Sequence, residues 1–110
     1  MEQGCCETLL LIFKLYNNMN QIILEQTCEA CPEQYWAYKG AHRIGYIRLR
    51  WGHFTCYYLP TENLSDNDIK LVDYIFENDE YKGCFDNDEE RNYWLEKSKQ
   101  ELLNYYNKNK

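Results

Sequence analysis

Two short turn signals in the middle of the chain place the tightest constraint on its fold. Gly40 and Gly52 each follow a strand-like run, and they divide residues 34–59 into three runs rich in Tyr, Ile and Trp. Such residues favour strands, and a short connection that ends in glycine is typical of a β-hairpin. The sequence therefore predicts a short antiparallel β-meander of three to four strands over residues 21–59, with three strands from these runs and residues 21–27 as the candidate for a fourth.

The second turn, Trp51-Gly52, also predicts which residues face one another. If these two residues form the whole loop, Arg50 faces His53 and each further pair lies one step along both strands. Side chains alternate between the two faces of a sheet, so this pairing assigns every residue to a face. One face collects the apolar side chains of Ile47, Leu49, Phe54 and Cys56. The opposite face collects Tyr46, Arg48, Arg50, His53, Thr55 and Tyr57.

The same register predicts the surroundings of Gly45. Continued across the turn at Gly40, it places Trp36 beside Gly45 and Tyr58 on the other side of the glycine. A large ring often covers the position where a strand glycine lacks a side chain. We therefore expect an aromatic pair to cover Gly45.

Two segments after Pro60 have apolar residues at helical spacing. The first follows the capping pair Ser65-x-x-Asp68, and the second follows Asp86-x-x-Glu89. The apolar positions are Ile69, Val72, Ile75 and Phe76 in the first segment, and Trp94 or Leu95, Ser98, Leu102 and Tyr105 in the second. We expect a single α+β domain over residues 1–110, with two C-terminal amphipathic helices within residues 64–106 packed on the apolar face. Residues 1–20 form an N-terminal helix or an extension in this prediction.

Negative charge is concentrated in the second half of the chain. The net charge is −6, and residues 62–90 hold eleven acidic residues against only Lys70 and Lys82. Such a surface keeps a protein in solution, but it also repels nucleic acid and attracts basic proteins. Displayed on helices, the acids would mimic a row of phosphates and bind a basic groove. The predicted acidic strip consists of Asp73, Glu77, Asp79, Glu80, Asp86, Asp88, Glu89 and Glu90.

The polar and aromatic face of the predicted sheet is a second candidate site. Arginine forks bind phosphate or carboxylate groups, and aromatic rings stack on bases or on guanidinium groups. We therefore predict that Tyr46, Arg48, Arg50, His53 and Tyr57 contact a protein partner, a second copy of the chain or a nucleotide. The alternative is that these side chains only pair with one another across the strands.

The spacing of four residues raises a zinc alternative. Cys28-x-x-Cys31 and His53-x-x-Cys56 resemble the two ligand pairs of a zinc ribbon. However, no glycine follows either pair, and an alternating strand places His53 and Cys56 on opposite faces. We therefore expect no bound metal and six cysteines that remain thiols in a reducing compartment.

The sequence contains few features typical of an enzyme or of a membrane-spanning protein. It has only two histidines, His42 and His53, and no glycine-rich phosphate loop, and it has no apolar run of about 20 residues. We expect a cytoplasmic, non-enzymatic binding protein without a cofactor. Abundant Asn, Tyr, Lys and Ile are typical of phage and mobile-element chains.

These observations favour an inhibitor of a host nucleic-acid-handling or defence protein, such as an anti-CRISPR protein, that binds a basic partner through the acidic strip. A homodimer is a further candidate assembly. The alternative functions are a zinc-ribbon module that binds nucleic acid and a protein that sequesters a nucleotide on the Arg/Tyr face.

Overall fold

One sheet and one helix make up the part of the chain that the structure describes. The structure is a computed structural model, and it describes residues 21–27 and 31–109. The strands are β1 (Ile22–Gln26), β2 (Glu33–Lys39), β3 (His42–Arg50), β4 (His53–Tyr58) and β5 (Ile69–Ile75), and the helix is α1 (Asp88–Lys108). All five strands are antiparallel and neighbour one another in chain order. The predicted α+β class and the meander are confirmed, whereas the prediction for residues 1–20 lies outside the described residues.

The β3–β4 hairpin has the predicted register. Arg50 faces His53, Leu49 faces Phe54 and Ile47 faces Cys56. Trp51 and Gly52 form the whole loop with φ values of 56° and 70°, the left-handed backbone that a type I′ turn requires. Glycine is required at position 52 for a second reason, because an added Cβ would lie 2.5 Å from the carbonyl oxygen of Asp79.

Gly45 lies in different surroundings from those predicted. A bulge in β3 shifts the register by one residue, so Ala37 rather than Trp36 faces Gly45, while Tyr58 is its partner in β4 as expected. The glycine allows α1 to approach, because an added Cβ would lie 2.8 Å from both methyl groups of Leu102. Close packing of the helix, rather than a covering pair of rings, explains this residue.

The first predicted helix is wrong, since residues 69–75 form the edge strand β5. Tyr74 faces Phe54 and Val72 faces Cys56, so β5 covers an edge of β4 that would otherwise be unpaired. The Ser65–Asp68 pair makes one of the two hydrogen bonds of a capping box without a helix: Ser65 N donates to Asp68 Oδ2 at 3.1 Å. These local bonds stabilise a turn, which explains why the signal misled.

The second predicted helix is confirmed as α1, with its cap displaced by one residue. Asn87 Oδ1 accepts a hydrogen bond from Glu90 N, and Glu90 Oε1 accepts one from Asp86 N, each at 2.8 Å. Asp88 begins the helix, and its acidic first turn suits the helix dipole. The reciprocal bonds satisfy backbone donors that the helix itself leaves free.

The helix packs on the apolar face of the sheet, as predicted. Ser98 and Leu102 are its buried residues. The Trp94 ring lies 5.2 Å from Phe54, and the Tyr105 ring lies 4.7 Å from Tyr58. The core beneath the helix includes Ile47, Leu49, Phe54 and Cys56, none of which is exposed. The opposite face of the sheet therefore has no helix on it among the described residues.

A buried carboxylate ties the sheet to the start of α1. The Glu33 side chain is only 3 % exposed, and Arg91 donates to both of its oxygens at 3.0 and 2.9 Å. Tyr35 Oη and Phe85 N also donate to Glu33, at 2.6 and 2.9 Å. Burial raises the pKa of Glu33, but these donors outweigh it and hold the pKa below its ordinary value of 4.5.

A disulfide joins Cys31 to Cys84, whose Cα atoms are 5.3 Å apart. The expectation that all six cysteines are thiols is therefore wrong for these two. The bond links the start of β2 to the loop before α1, beside the hydrogen bond from Glu33 N to the carbonyl of Gly83. None of the helices among the described residues has the length and apolarity to cross a membrane.

Candidate functional site

The open face of the sheet brings together the residues of the predicted Arg/Tyr face. Tyr46 faces Tyr57 and Arg50 faces His53 across the hairpin. β5 extends this surface by placing Asp73 beside Thr55. Tyr46, Arg48, Arg50, His53 and Tyr57 therefore lie on one surface built from two neighbouring strands.

A cavity of about 250 Å³ lies on this face, and we call it the arginine cavity. Its lining is formed by Arg48, Arg50, Trp51, His53, Thr55 and Tyr57. Arg48 is partly buried, and its guanidinium makes no hydrogen bond or ion pair with any residue that the structure describes. The Arg50 guanidinium lies 5.8 Å from the centre of the Trp51 ring. Two arginines thus line a concave polar surface, and one of them, Arg48, has no partner within the described part of the chain.

Asp73 positions His53 at this cavity. His53 Nε2 and Asp73 Oδ1 are hydrogen-bonded, and Lys70 Nζ lies 3.1 Å from Asp73 Oδ2. The bond with His53, followed by the bond with Lys70, lowers the pKa of the Asp73 carboxyl. The bulge in β5 makes this arrangement possible, because it places Lys70 and Asp73 on the same face of the sheet. Lys70 therefore offsets the negative charge of Asp73, and Arg48 and Arg50 leave the cavity cationic.

A cluster of aromatic residues and Arg43 occupies the rest of the open face. The Arg43 guanidinium lies 4.0 Å from the centre of the Trp36 ring, and Trp36 lies 5.1 Å from Tyr46. Tyr46 Oη donates to Gln34 Oε1 at 2.7 Å. Unlike Arg48, Arg43 also donates to an oxygen, that of Tyr38, at 3.3 Å. Here the aromatic rings already cover a guanidinium, which is the pairing expected without a ligand.

A second cavity, of about 380 Å³, lies at the tip of the β3–β4 hairpin, and we call it the tryptophan cavity. Its lining is formed by Cys31, Pro32, Arg50, Trp51, Tyr81 and Gly83. The Trp51 and Tyr81 side chains are 62 % and 74 % exposed, and their ring centres are 6.1 Å apart in an edge-on arrangement. Arg50 and Trp51 line both cavities, so the two form neighbouring parts of one surface.

The acidic strip does not form one helical surface. Asp73 lies in β5, Glu77, Asp79, Glu80 and Asp86 lie in the connection to α1, and only Asp88, Glu89 and Glu90 lie in the helix. The helix predicted to align the first acids is a strand and a loop, and the strip is divided.

Several of these acids also have cationic partners. Asp86 and Glu90 contact the buried Lys82 Nζ at 2.6 and 3.2 Å, and Asp88 contacts Arg91 at 2.6 Å. Burial lowers the pKa of Lys82, but its two carboxylate partners outweigh this and raise it, so Lys82 stays charged. The acids without an ion pair to a described residue are Glu77, Asp79, Glu80 and Glu89.

The zinc alternative fails on three of its four ligands. Cys31 is bonded to Cys84, Cys56 is fully buried beneath α1, and His53 lies on the opposite face of the sheet. Burial raises the pKa of the Cys56 thiol to about 12, which disfavours the thiolate that binds metals. Cys28 lies outside the described residues, and among those described no three His, Cys, Asp or Glu side chains form a group that could hold a metal.

The sequence pattern does not predict that the Trp51 and Tyr81 rings meet at the surface. Trp51 was read only as a turn residue, although the unusual choice of tryptophan at a turn position was a signal. Comparison of the chain with protein-family models, curated proteins and solved structures finds no match. Geometry and charge are therefore the basis for the proposals that follow.

Proposed function

We propose that the chain is a non-enzymatic binding protein that holds an anionic group in the arginine cavity. The observation that carries this proposal is the Arg48 guanidinium, which is partly buried, faces a cavity and has no partner among the described residues. A buried or partly buried charge is normally paired, so an anion is the missing partner that Arg48 favours. Phosphate and carboxylate share the geometry that an arginine fork recognises.

The neighbours of Arg48 support the same ligand chemistry. Arg50 adds a second positive charge, while Thr55 and Tyr57 supply hydroxyl groups that donate hydrogen bonds to an oxyanion. His53 is placed at the cavity by Asp73, whose own charge is offset by Lys70. The chemistry of the lining is that of a site for a compact anion rather than for an apolar ligand.

Substitution of Arg48 tests this function. We expect pyrophosphate or citrate to raise the melting temperature of the wild-type protein, since a ligand that binds only the folded state stabilises it. Arg48→Met keeps the aliphatic stem but removes the fork, so the affinity for the anion falls by about tenfold or more, which equals about 1.4 kcal/mol. Isothermal titration calorimetry measures the affinity, and comparison of the two anions separates phosphate from carboxylate recognition.

Arg43→Met is the matched control for this experiment. Arg43 lies on the same face but its guanidinium is covered by Trp36 and bonded to Tyr38. Its removal leaves anion affinity unchanged within about twofold, whereas equal losses in both variants contradict a specific site at Arg48 and indicate general electrostatic attraction.

A second candidate function is the inhibition of a basic host protein, in a phage or mobile-element setting, by the acidic surface. The observation that favours it is the group of carboxylates at Glu77, Asp79 and Glu80, which lie close together in the loop after β5 and form no ion pair with any described residue. The charge of residues 62–90 adds long-range attraction to a basic partner. This loop, rather than a helical strip, is the contact in the proposal.

Salt dependence and charge removal test the second candidate. We expect a basic ribonuclease to bind the protein more tightly at low than at physiological salt, because exposed charges are screened. Glu77→Gln/Glu80→Gln then weakens binding severalfold in a titration followed by calorimetry. The control Glu96→Gln/Glu101→Gln removes the same charge from α1, and an equal loss there, or affinity that ignores salt, counts against a contact at the loop.

A further inference from the structure

Trp51 occupies a backbone position that tryptophan disfavours. Its φ of 56° is in the left-handed region, where a bulky residue is strained and where Asn or Gly is preferred in a type I′ turn. The side chain is 62 % exposed, so packing in a core does not compensate for the strain. Strain of this kind persists where a side chain has a role that another residue cannot fill.

Trp51 and Tyr81 together present two exposed aromatic rings to the tryptophan cavity. Tyr81 is brought to the hairpin by backbone hydrogen bonds from the loop after β5, including the bond from Gly52 N to the carbonyl of Lys82 at 2.8 Å. Pro32 and Gly83 add apolar surface to the lining of this cavity. Exposed aromatic rings around a shallow cavity are the surface on which a nucleobase stacks.

The two cavities join at Arg50 and Trp51, and their linings differ in polarity. The arginine cavity adds Arg48 and the hydroxyl groups of Thr55 and Tyr57 to Arg50, whereas the tryptophan cavity adds the Tyr81 ring, Pro32 and Gly83. This polarity favours an anionic group on the first side and a neutral group on the second. A phosphate joined to a flat, uncharged ring satisfies both sides at once.

We infer that the ligand of this surface is a nucleotide, with its phosphates in the arginine cavity and its base against Trp51 and Tyr81. The inference rests on the proposed function, because it specifies the anion that the arginine cavity holds. A free nucleotide fits better than a nucleic-acid strand, since the net charge of −6 opposes association with a long polyanion. Base stacking on aromatic side chains adds affinity that a phosphate alone does not gain.

Calorimetry with matched ligands tests the inference. The probes are ADP, GDP, CDP, UDP, pyrophosphate, adenosine and a short oligothymidine. We expect at least one nucleoside diphosphate to bind about tenfold or more tightly than both pyrophosphate and adenosine, because only the nucleotide fills both cavities. Affinity for oligothymidine above that for every nucleotide overturns the inference in favour of a single-stranded nucleic acid.

Two variants separate the role of the rings from that of the fold. Trp51→Asn introduces the residue that the turn prefers, so the melting temperature stays the same or rises while nucleotide affinity falls about tenfold. Tyr81→Ser has the same effect on affinity, and Tyr93→Ser, which removes another exposed tyrosine, has none. Pyrophosphate affinity stays within about twofold in Tyr81→Ser and Tyr93→Ser, because neither tyrosine lines the arginine cavity.

The possible failures of the two proposals are distinguishable. If pyrophosphate and the nucleotides bind equally well and Trp51→Asn changes neither, the base site is refuted while the anion site remains. If neither pyrophosphate, citrate nor any nucleotide binds, the proposed function fails and the inference fails with it.

Discussion

Replacement of Arg91 by methionine is expected to lower the free energy of unfolding by about 3–5 kcal/mol, because it leaves a buried carboxylate without its cation. The Glu33 side chain is 3 % exposed and accepts two hydrogen bonds from Arg91. Tyr35 and Phe85 still donate to Glu33 in the variant, but neither carries a positive charge. Urea unfolding at neutral pH, followed by circular dichroism, measures the loss.

The dependence of this loss on pH gives an independent check. The donors around Glu33 lower its folded pKa below the ordinary value of 4.5, so its contribution to stability is present above that pH and is lost as the pH falls through the folded pKa. In Arg91→Met, protonation of Glu33 makes the buried carboxyl neutral and so removes the cost of an unpaired buried charge. The difference between wild type and variant is therefore largest at neutral pH and shrinks in acid.

Two further variants identify the cause of the effect. Lys99→Met removes a cation of the same 30 % exposure from the same helix, where it pairs with the exposed Glu96, and we expect a change within about 0.5 kcal/mol. Glu33→Gln combined with Arg91→Met should cost less than Arg91→Met alone, because a neutral amide is less costly to bury unpaired. A double variant that is no more stable than the single one rules out the buried charge as the cause.

The predictable part of the fold is the part that local signals specify. A two-residue turn and the alternation of side chains assign Ile47 and Arg48 to opposite faces, and no distant residue is needed for that assignment. The stripe of Ser98 and Leu102 on α1 is similarly local, because helical spacing and an acidic first turn define it. For these reasons the hairpin register and the buried side of α1 were both predictable.

The wrong parts depend on partners that lie far away in the chain. Val72 and Ile75 have helical spacing, but their segment pairs with the edge of β4 and forms a strand instead. The bulge in β3 moves Trp36 away from Gly45, and no signal in the sequence predicts this bulge. A short apolar segment that fits both the helical and the strand period takes the structure that its packing partners favour, and the sequence does not show those partners.

The candidate site was predictable only in part for the same reason. Tyr46, Arg48 and Arg50 follow from the hairpin register. Asp73 was assigned to an acidic strip, yet it pairs with His53 because β5 lies beside β4. Tyr81 lies in a loop whose sequence has no periodic pattern, so its position next to the hairpin was not predictable. Side chains supplied by the meander were found, and those supplied by the β5 connection were not.

Removal of the Cys31–Cys84 disulfide is expected to lower the free energy of unfolding by up to about 4 kcal/mol. The bond joins residues that are 53 positions apart, and a loop of that length loses much conformational entropy in the unfolded chain when it is closed. The folded state should survive, because the hydrogen bonds from Glu33 N to Gly83 O and from Phe85 N to Glu33 hold the same two segments together. The variant Cys31→Ser/Cys84→Ser, measured by urea unfolding, tests both statements.

A second experiment measures urea unfolding of the wild-type protein with and without a thiol reductant. Reduction should lower the stability of the wild type to that of the double variant and leave the variant unchanged, because the one further cysteine among the described residues, Cys56, is buried and unpaired. Cys28→Ser is the matched control, since Cys28 lies three residues before Cys31 and its substitution leaves both cysteines of this bond in place. If the reductant does not change the urea midpoint of the wild type, the Cys31–Cys84 disulfide is contradicted.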